Sequence, residues 1–243
     1  MDPTTPVVFL HAFPLNAAMW ARQTEALAPR KVVAPHFPGF GGRPPGEATL
    51  DAFARAALSD MDRAGVERAV VVGLSMGGYT AFRLQALAPG RVAGLVLADT
   101  RAGDDDDAGR VKRSDQAARA RREGVGWMAD ALVPALLGET TRKQRPKVVA
   151  QVRALIAQAD PEGVVQALEA MRDRPDSTPR LGKIRVPVLV VVGEEDTLTP
   201  TAEARKIAEG VGDGRLVVLP GAGHLANLEA PDAFHAALED WLG

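Results

Sequence analysis

The sequence contains no cysteine among its 243 residues. That absence excludes disulfides, thiolate nucleophiles and sulfur-ligated metals, and it fits a reducing compartment. Charge of one sign is lacking too: 29 Lys and Arg stand against 31 Asp and Glu, a formal charge of -2. No field for a polyanion is built, so nucleic acid is not an expected partner. No apolar run approaches the length of a membrane span, and the opening "MDPTTPVVFLHAF" has no basic region before its strand-length apolar stretch. A soluble, cytoplasmic protein is expected. No His/Glu or Cys/His spacing suits zinc. The glycines of "FPGFGGRPPG" (37–46) are followed by proline instead of a helix, which excludes a dinucleotide fingerprint or a phosphate loop. Neither a metal nor a cofactor is expected.

What is present is an alternation. Short apolar runs recur at "VVFL" (7–10), "VVA" (32–34), "AVVVG" (69–73), "LVLAD" (95–99), "VPVLVVVG" (186–193) and "RLVVLP" (215–220). Segments apolar on both faces suit a parallel sheet covered by helices. Helical patterns at 16–28, 50–65, 76–89 and 200–210 separate them, giving an α/β, doubly wound domain. The alternation stops between about Gly103 and Gly182, a span too long for a structureless loop. It reads as helices at 107–124, 126–138, 141–159 and 161–174, predicting a helical lid over 103–182 on a core formed by 1–102 and 183–243. The acidic run Asp104 to Asp107 reads as a solvated loop or helix start, and Arg119, Arg121 and Arg122 as an exposed helix face.

In "AVVVGLSMGGYTAF" (69–82), Ser75 stands between a predicted strand and a predicted helix, with Gly73 and Gly77 two positions to either side. G-x-S-x-G in that setting makes an abrupt, strained reversal that lifts the hydroxyl above the sheet edge. A serine hydroxyl is a poor nucleophile until a base takes its proton. Of four histidines, His235 lies within the terminal helix pattern, and His11 and His36 follow the first two strands and border the expected site. His224, in the loop "GAGHLANLEAP" after the last strand, is the candidate base. Its imidazole needs a carboxylate, and two strand ends supply one: Asp196 in "GEEDTLTP", which is favoured, and Asp99 in "LVLADTRAG", which borders the site or serves a turn.

Acyl transfer also needs two N–H donors at the developing oxyanion. The Met76 amide directly follows the serine. The second belongs to the loop after the first strand, where Pro14 has no N–H and the choice falls on Phe13 over Ala12. Trp127, Met128, Leu132 and Leu136 are candidates to line an acyl pocket, although such spacing also describes plain helix packing.

Taken together, "HAFPLNAAMW", "FPGFGG", "GLSMGG", "RVPVLVVVGEEDTLTP" and "LPGAGHLANLEAPDAF" resemble the α/β-hydrolase superfamily over nearly the whole chain. The resemblance is to a small bacterial branch with carboxylesterases, cofactor-free perhydrolases and 3-oxoadipate enol-lactonases. It implies an α/β-hydrolase fold with a mostly parallel sheet and a helical lid inserted before the penultimate strand. It implies a triad of Ser75, Asp196 and His224, with Phe13 and Met76 as the oxyanion hole. Three departures stand out: His11-Ala12 replaces the usual His-Gly, His36 occupies a position that often carries Asp, and too few residues precede "VVFL" for the usual first strand pair. About six strands are therefore expected. The expected function is a serine hydrolase, a carboxylesterase acting on a small-molecule ester or lactone. Rival readings are an enol-lactonase, a perhydrolase, a C–C bond hydrolase or, outside catalysis, a small-molecule receptor on the same fold.

Overall fold

The computed structural model describes residue 2 and residues 4–243. Six strands form one sheet: β1 (Val7–Leu10), β2 (Val32–Val33), β3 (Ala69–Leu74), β4 (Val92–Ala98), β5 (Val188–Gly193) and β6 (Gly214–Leu219). Their order is β2-β1-β3-β4-β5-β6, and every neighbouring pair is parallel. The four residues of β1 and all six of β3 are buried, as strands covered on both faces must be.

Helices connect the strands. A short 3-10 turn (Ala17–Trp20), begun where Asn16 accepts from the Ala18 N–H, runs into α1 (Ala21–Ala26), so the pattern at 16–28 is two pieces. Then come α2 (Leu50–Arg63) and α3 (Met76–Leu87). Five helices lie between β4 and β5: α4 (Asp107–Glu123), α5 (Met128–Leu136), α6 (Glu139–Gln144), α7 (Pro146–Ile156) and α8 (Pro161–Arg172). The single helix expected over 141–159 is broken at Arg145 (φ −126°, ψ 63°), because Pro146 disfavours a helical residue before it and starts α7 instead. After β5 come α9 (Thr201–Gly210), α10 (Ala226–Glu229) and α11 (Pro231–Leu242). Among the described residues no helix is long and apolar enough to cross a membrane.

The strand order positions the site. From β1 the chain moves outward to β2, then returns across β1 to lay β3 on the other side. The loops leaving β1 and β3 therefore diverge where Leu10 pairs with Gly73, and a crevice opens beyond those strand ends. His11 to Pro14 and Ser75 follow those two ends directly.

Candidate active site

Ser75 adopts φ 55°, ψ −114°, a left-handed backbone that β3 and α3 impose together. Its N–H donates to Ala98 O (2.9 Å), while its own carbonyl accepts from the Gly78 N–H (2.8 Å) and from Thr100 Oγ1 (3.0 Å). The reversal presses helix onto strand. A Cβ at Gly73 would overlap the Gly77 carbonyl, and one at Gly77 would overlap the Leu10 carbonyl. The Ser75 side chain does not cap α3. Instead its Oγ lies 2.8 Å from His224 Nε2.

On the other ring edge, His224 Nδ1 lies 2.8 Å from Asp196 Oδ2. The Asp196 carboxylate is held by its own loop: Oδ1 accepts from the N–H groups of Leu198 (2.8 Å) and Thr199 (3.0 Å), and Oδ2 accepts from Thr199 Oγ1 (2.6 Å). Burial alone would raise its pKa, but the facing imidazole and these donors outweigh that and hold it below the usual carboxylate range. The chain Ser75, His224, Asp196 is nearly closed to water, with 9 %, 3 % and 4 % of each residue exposed. A hydroxyl linked in this way through an imidazole to a fixed anion can lose its proton to the ring as it attacks a carbonyl.

Asp99, the other strand-end carboxylate, does not meet His224. Its Oδ1 accepts from the Gly193 N–H (2.8 Å) and its Oδ2 from the Ala226 N–H (3.1 Å), fastening the end of β5 to the start of α10. Burial, followed by the negative charge of Asp196, drives its pKa well above the usual range. It too sits at positive φ (43°).

The loop after β1 is set by His11, which is fully buried. Its Nε2 accepts from the Phe37 N–H (3.1 Å), so the proton resides on Nδ1, which donates to the Ala12 carbonyl at 3.0 Å. Burial lowers the His11 pKa to about 3, keeping the ring neutral. In the trans peptide that follows, fixing the Ala12 C=O also fixes the Phe13 N–H in the opposite direction. Among the described residues that N–H has no acceptor, and Phe13 lines the cavity above Ser75. Met76, at the first position of α3, has no carbonyl one turn earlier to bond. Ala12 replaces glycine without strain, since it is not among the positive-φ residues.

The cavity measures about 290 Å³ and is walled by Ser75, His224, Phe13, Tyr79, Leu132 and Leu136, among others. His36 and Trp127 do not line it. The His36 Nδ1 accepts from the Ala17 N–H (3.2 Å), steadying the turn after the β1 loop. Trp127 is drawn away by its own bond to Gly124 O (2.9 Å) and by the Arg119 guanidinium 4.1 Å above its ring. Sequence reasoning missed Thr199, though an Asp three residues before a Thr-Pro pair is a signal for a side chain closing its own turn. It also misplaced one residue of the acidic run. Asp106 starts α4 as expected, accepting from the Gly109 N–H, but Asp105 is buried against Arg113 and Arg174.

A family model described as the alpha/beta hydrolase fold matches residues 5–231. Among solved structures, a thermophilic esterase from Thermogutta terrifontis superposes with a TM-score of 0.94 at 38% identity, covering 98% of this chain and 89% of that one. The enol-lactonase from Burkholderia xenovorans follows at 0.90 and 30% identity, covering 98% and 91%. A pimeloyl-[acyl-carrier protein] methyl ester esterase from Aromatoleum aromaticum is 30% identical over 252 residues, covering 96% of each chain. With six parallel strands and a serine at the β3–α3 turn, the chain belongs to the α/β-hydrolase family and is a hydrolase.

Proposed function

We propose that the protein is a serine esterase, cleaving a small carboxylic ester or lactone through an acyl-enzyme. The observation that carries this reading is the unbroken chain of 2.8 Å contacts from Ser75 Oγ through His224 to Asp196 Oδ2. Ser75 Oγ attacks the carbonyl carbon as its proton passes to His224 Nε2. The carbonyl electrons move to oxygen, and the Phe13 and Met76 amides receive that charge; each such donor is worth about 3–4 kcal/mol to a transition state of this type. Collapse expels the alkoxide, which takes the proton from His224 and leaves the acyl group on Ser75. Water, deprotonated by His224, then releases the acid and restores the serine. Asp196 keeps the proton of neutral His224 on Nδ1 and stabilises the imidazolium between transfers. Residues 103–182 act as the cap of this site, with Leu132 and Leu136 of α5 supplying apolar wall to the cavity.

The named activities of the esterase and lactonase relatives favour an oxygen ester, open or cyclic, over the other acyl substrates of the fold. The test is hydrolysis of short-chain p-nitrophenyl esters and labelling by a fluorophosphonate, with Ser75→Ala alongside. Turnover and labelling lost in Ser75→Ala are expected. A wild-type protein that neither turns over nor labels overturns the reading.

A further inference from the structure

The cavity above Ser75 holds more positive charge than ester hydrolysis uses. Arg101, Lys112 and Arg113 face it together with Asp105 and Asp106. The three cations outnumber the two acids. Asp105 receives both Arg113 and the buried Arg174, a trio that keeps one positive charge in excess, and Asp106 accepts from the Gly109 N–H at the start of α4. Arg101 and Lys112 have no carboxylate partner among the described residues.

Arg101 is the more telling of the two. It leaves the end of β4 two residues after Asp99, and its Nη2 donates to Leu198 O at 2.9 Å, which lays the guanidinium along the loop that carries Asp196. Its Nε is buried with no acceptor. A guanidinium offers five donors in a rigid fork, and a buried donor left without a partner is costly unless something supplies an acceptor. Lys112 comes from α4, on the face that repeats through Gly109 and Gln116 along the cavity wall. A neutral ester satisfies neither group. A planar anion satisfies both, since Arg matches a carboxylate with two parallel bonds and Lys adds a second positive charge.

We propose that the ester or lactone cleaved at Ser75 belongs to a molecule that also bears a carboxylate, which Arg101 receives with Lys112 as the second cation. The inference rests on the serine-hydrolase reading above and narrows its substrate class. No bond beyond the acyl cleavage is made or broken, because the second carboxylate serves only for binding.

The test compares two activated esters of one size, the mono-p-nitrophenyl ester of glutarate and the same ester with its free acid converted to a carboxamide, with background rates taken from Ser75→Ala. In the wild type the anionic ester is expected to exceed the amide in kcat/KM by about ten-fold or more, carried mainly by KM. Raising the salt is expected to raise KM for the anionic ester alone. Arg101→Gln is expected to bring the anionic-to-neutral ratio near one, Arg101→Lys to keep part of it because charge survives without the fork, and Lys112→Gln to lower it less. Equal turnover of the two esters by the wild type overturns the inference and leaves the hydrolase reading standing, as does an unchanged ratio in Arg101→Gln. Turnover of neither ester, together with no fluorophosphonate labelling, overturns both.

Discussion

Asp99 and Asp196 stand at the ends of two neighbouring parallel strands, close enough for the charge of one to raise the pKa of the other, yet only Asp196 touches His224. Asp99 instead receives two backbone amides, one from the end of β5 and one two residues beyond His224. The two carboxylates therefore have different expected mutational costs. Asp196→Asn turns an acceptor into a donor against His224 Nδ1, favours the wrong tautomer, and is expected to lower kcat by about 10³–10⁴. Asp99→Asn keeps one acceptor for one amide and is expected to lower kcat/KM by about ten-fold at most, through looser placement of the His224 loop. Steady-state kinetics on one p-nitrophenyl ester decides it. The reverse ordering would make Asp99 the catalytic acid.

His11 predicts a pH dependence of stability. Its folded pKa is about 3 against an ordinary 6.5, so between those values the unfolded chain binds a proton that the native ring does not. Stability from this group is complete above pH 6.5 and is lost as the pH falls toward 3. Each ten-fold difference in proton affinity between the folded and unfolded chain is worth about 1.4 kcal/mol, so the loss across that window reaches several kcal/mol. Urea unfolding of the wild type and His11→Gln from pH 7 to pH 4 isolates it. The variant is expected to be less stable at pH 7, because the Phe37 and Ala12 bonds are disturbed, and to lose less stability on acidification. Parallel curves for the two proteins would show that His11 is not held neutral.

Much of this architecture was legible in the sequence because its signals are local. All six strands fall on the apolar runs, and the glycines around Ser75 mark a crossing that the structure makes by pressing α3 against β1 and β3. The residues missed share another feature, since their roles depend on elements far apart in the chain. Asp105 reads as one of four adjacent solvated acids until the turn after α8 brings Arg174 back beside it, 69 positions later in the sequence. Arg101 looks like an ordinary loop residue until Leu198 closes over it. Trp127 misled for the converse reason: its helical spacing suggested the cavity, but a local bond to Gly124 and the ring contact with Arg119 turn it elsewhere.

The glycine crossing gives a stability prediction with an internal control. A methyl group at Gly77 would overlap the backbone carbonyl of Leu10, which cannot move without displacing β1. Gly77→Ala is therefore expected to cost more than about 3 kcal/mol, or to leave no soluble protein. Gly103→Ala meets nothing within 4 Å and is expected to stay within about 0.5 kcal/mol of the wild type. Urea midpoints of the two variants, measured together, check the pair. A well-folded Gly77→Ala would mean that helix and strand are not in the contact described.

The Asp105 cluster ties the start of α4 to the segment after α8, and its removal should be felt in folding before chemistry. Only 2 % of the Arg174 side chain and 5 % of the Asp105 side chain are exposed; their ion pair measures 2.8 Å, and the Arg174 guanidinium also lies 4.3 Å above the Tyr79 ring. Burial raises the Asp105 pKa, but the hydrogen bonds and charges of Arg174 and Arg113 more than offset it, so the carboxylate titrates below its ordinary value. Its stabilising contribution is present above the unfolded-state pKa and is lost as the pH falls through the folded one. Asp105→Asn keeps the shape but leaves Arg174 buried without a counter-charge, and is expected to destabilise the protein by about 3–5 kcal/mol at pH 7. The deficit should shrink only once the pH falls below the ordinary carboxylate range, where the wild-type carboxylate takes up its proton as well. Thermal unfolding at pH 7 and at about pH 2 reads both parts. A deficit of the same size at the two pH values would mean that packing, not charge, is what Asp105 contributes.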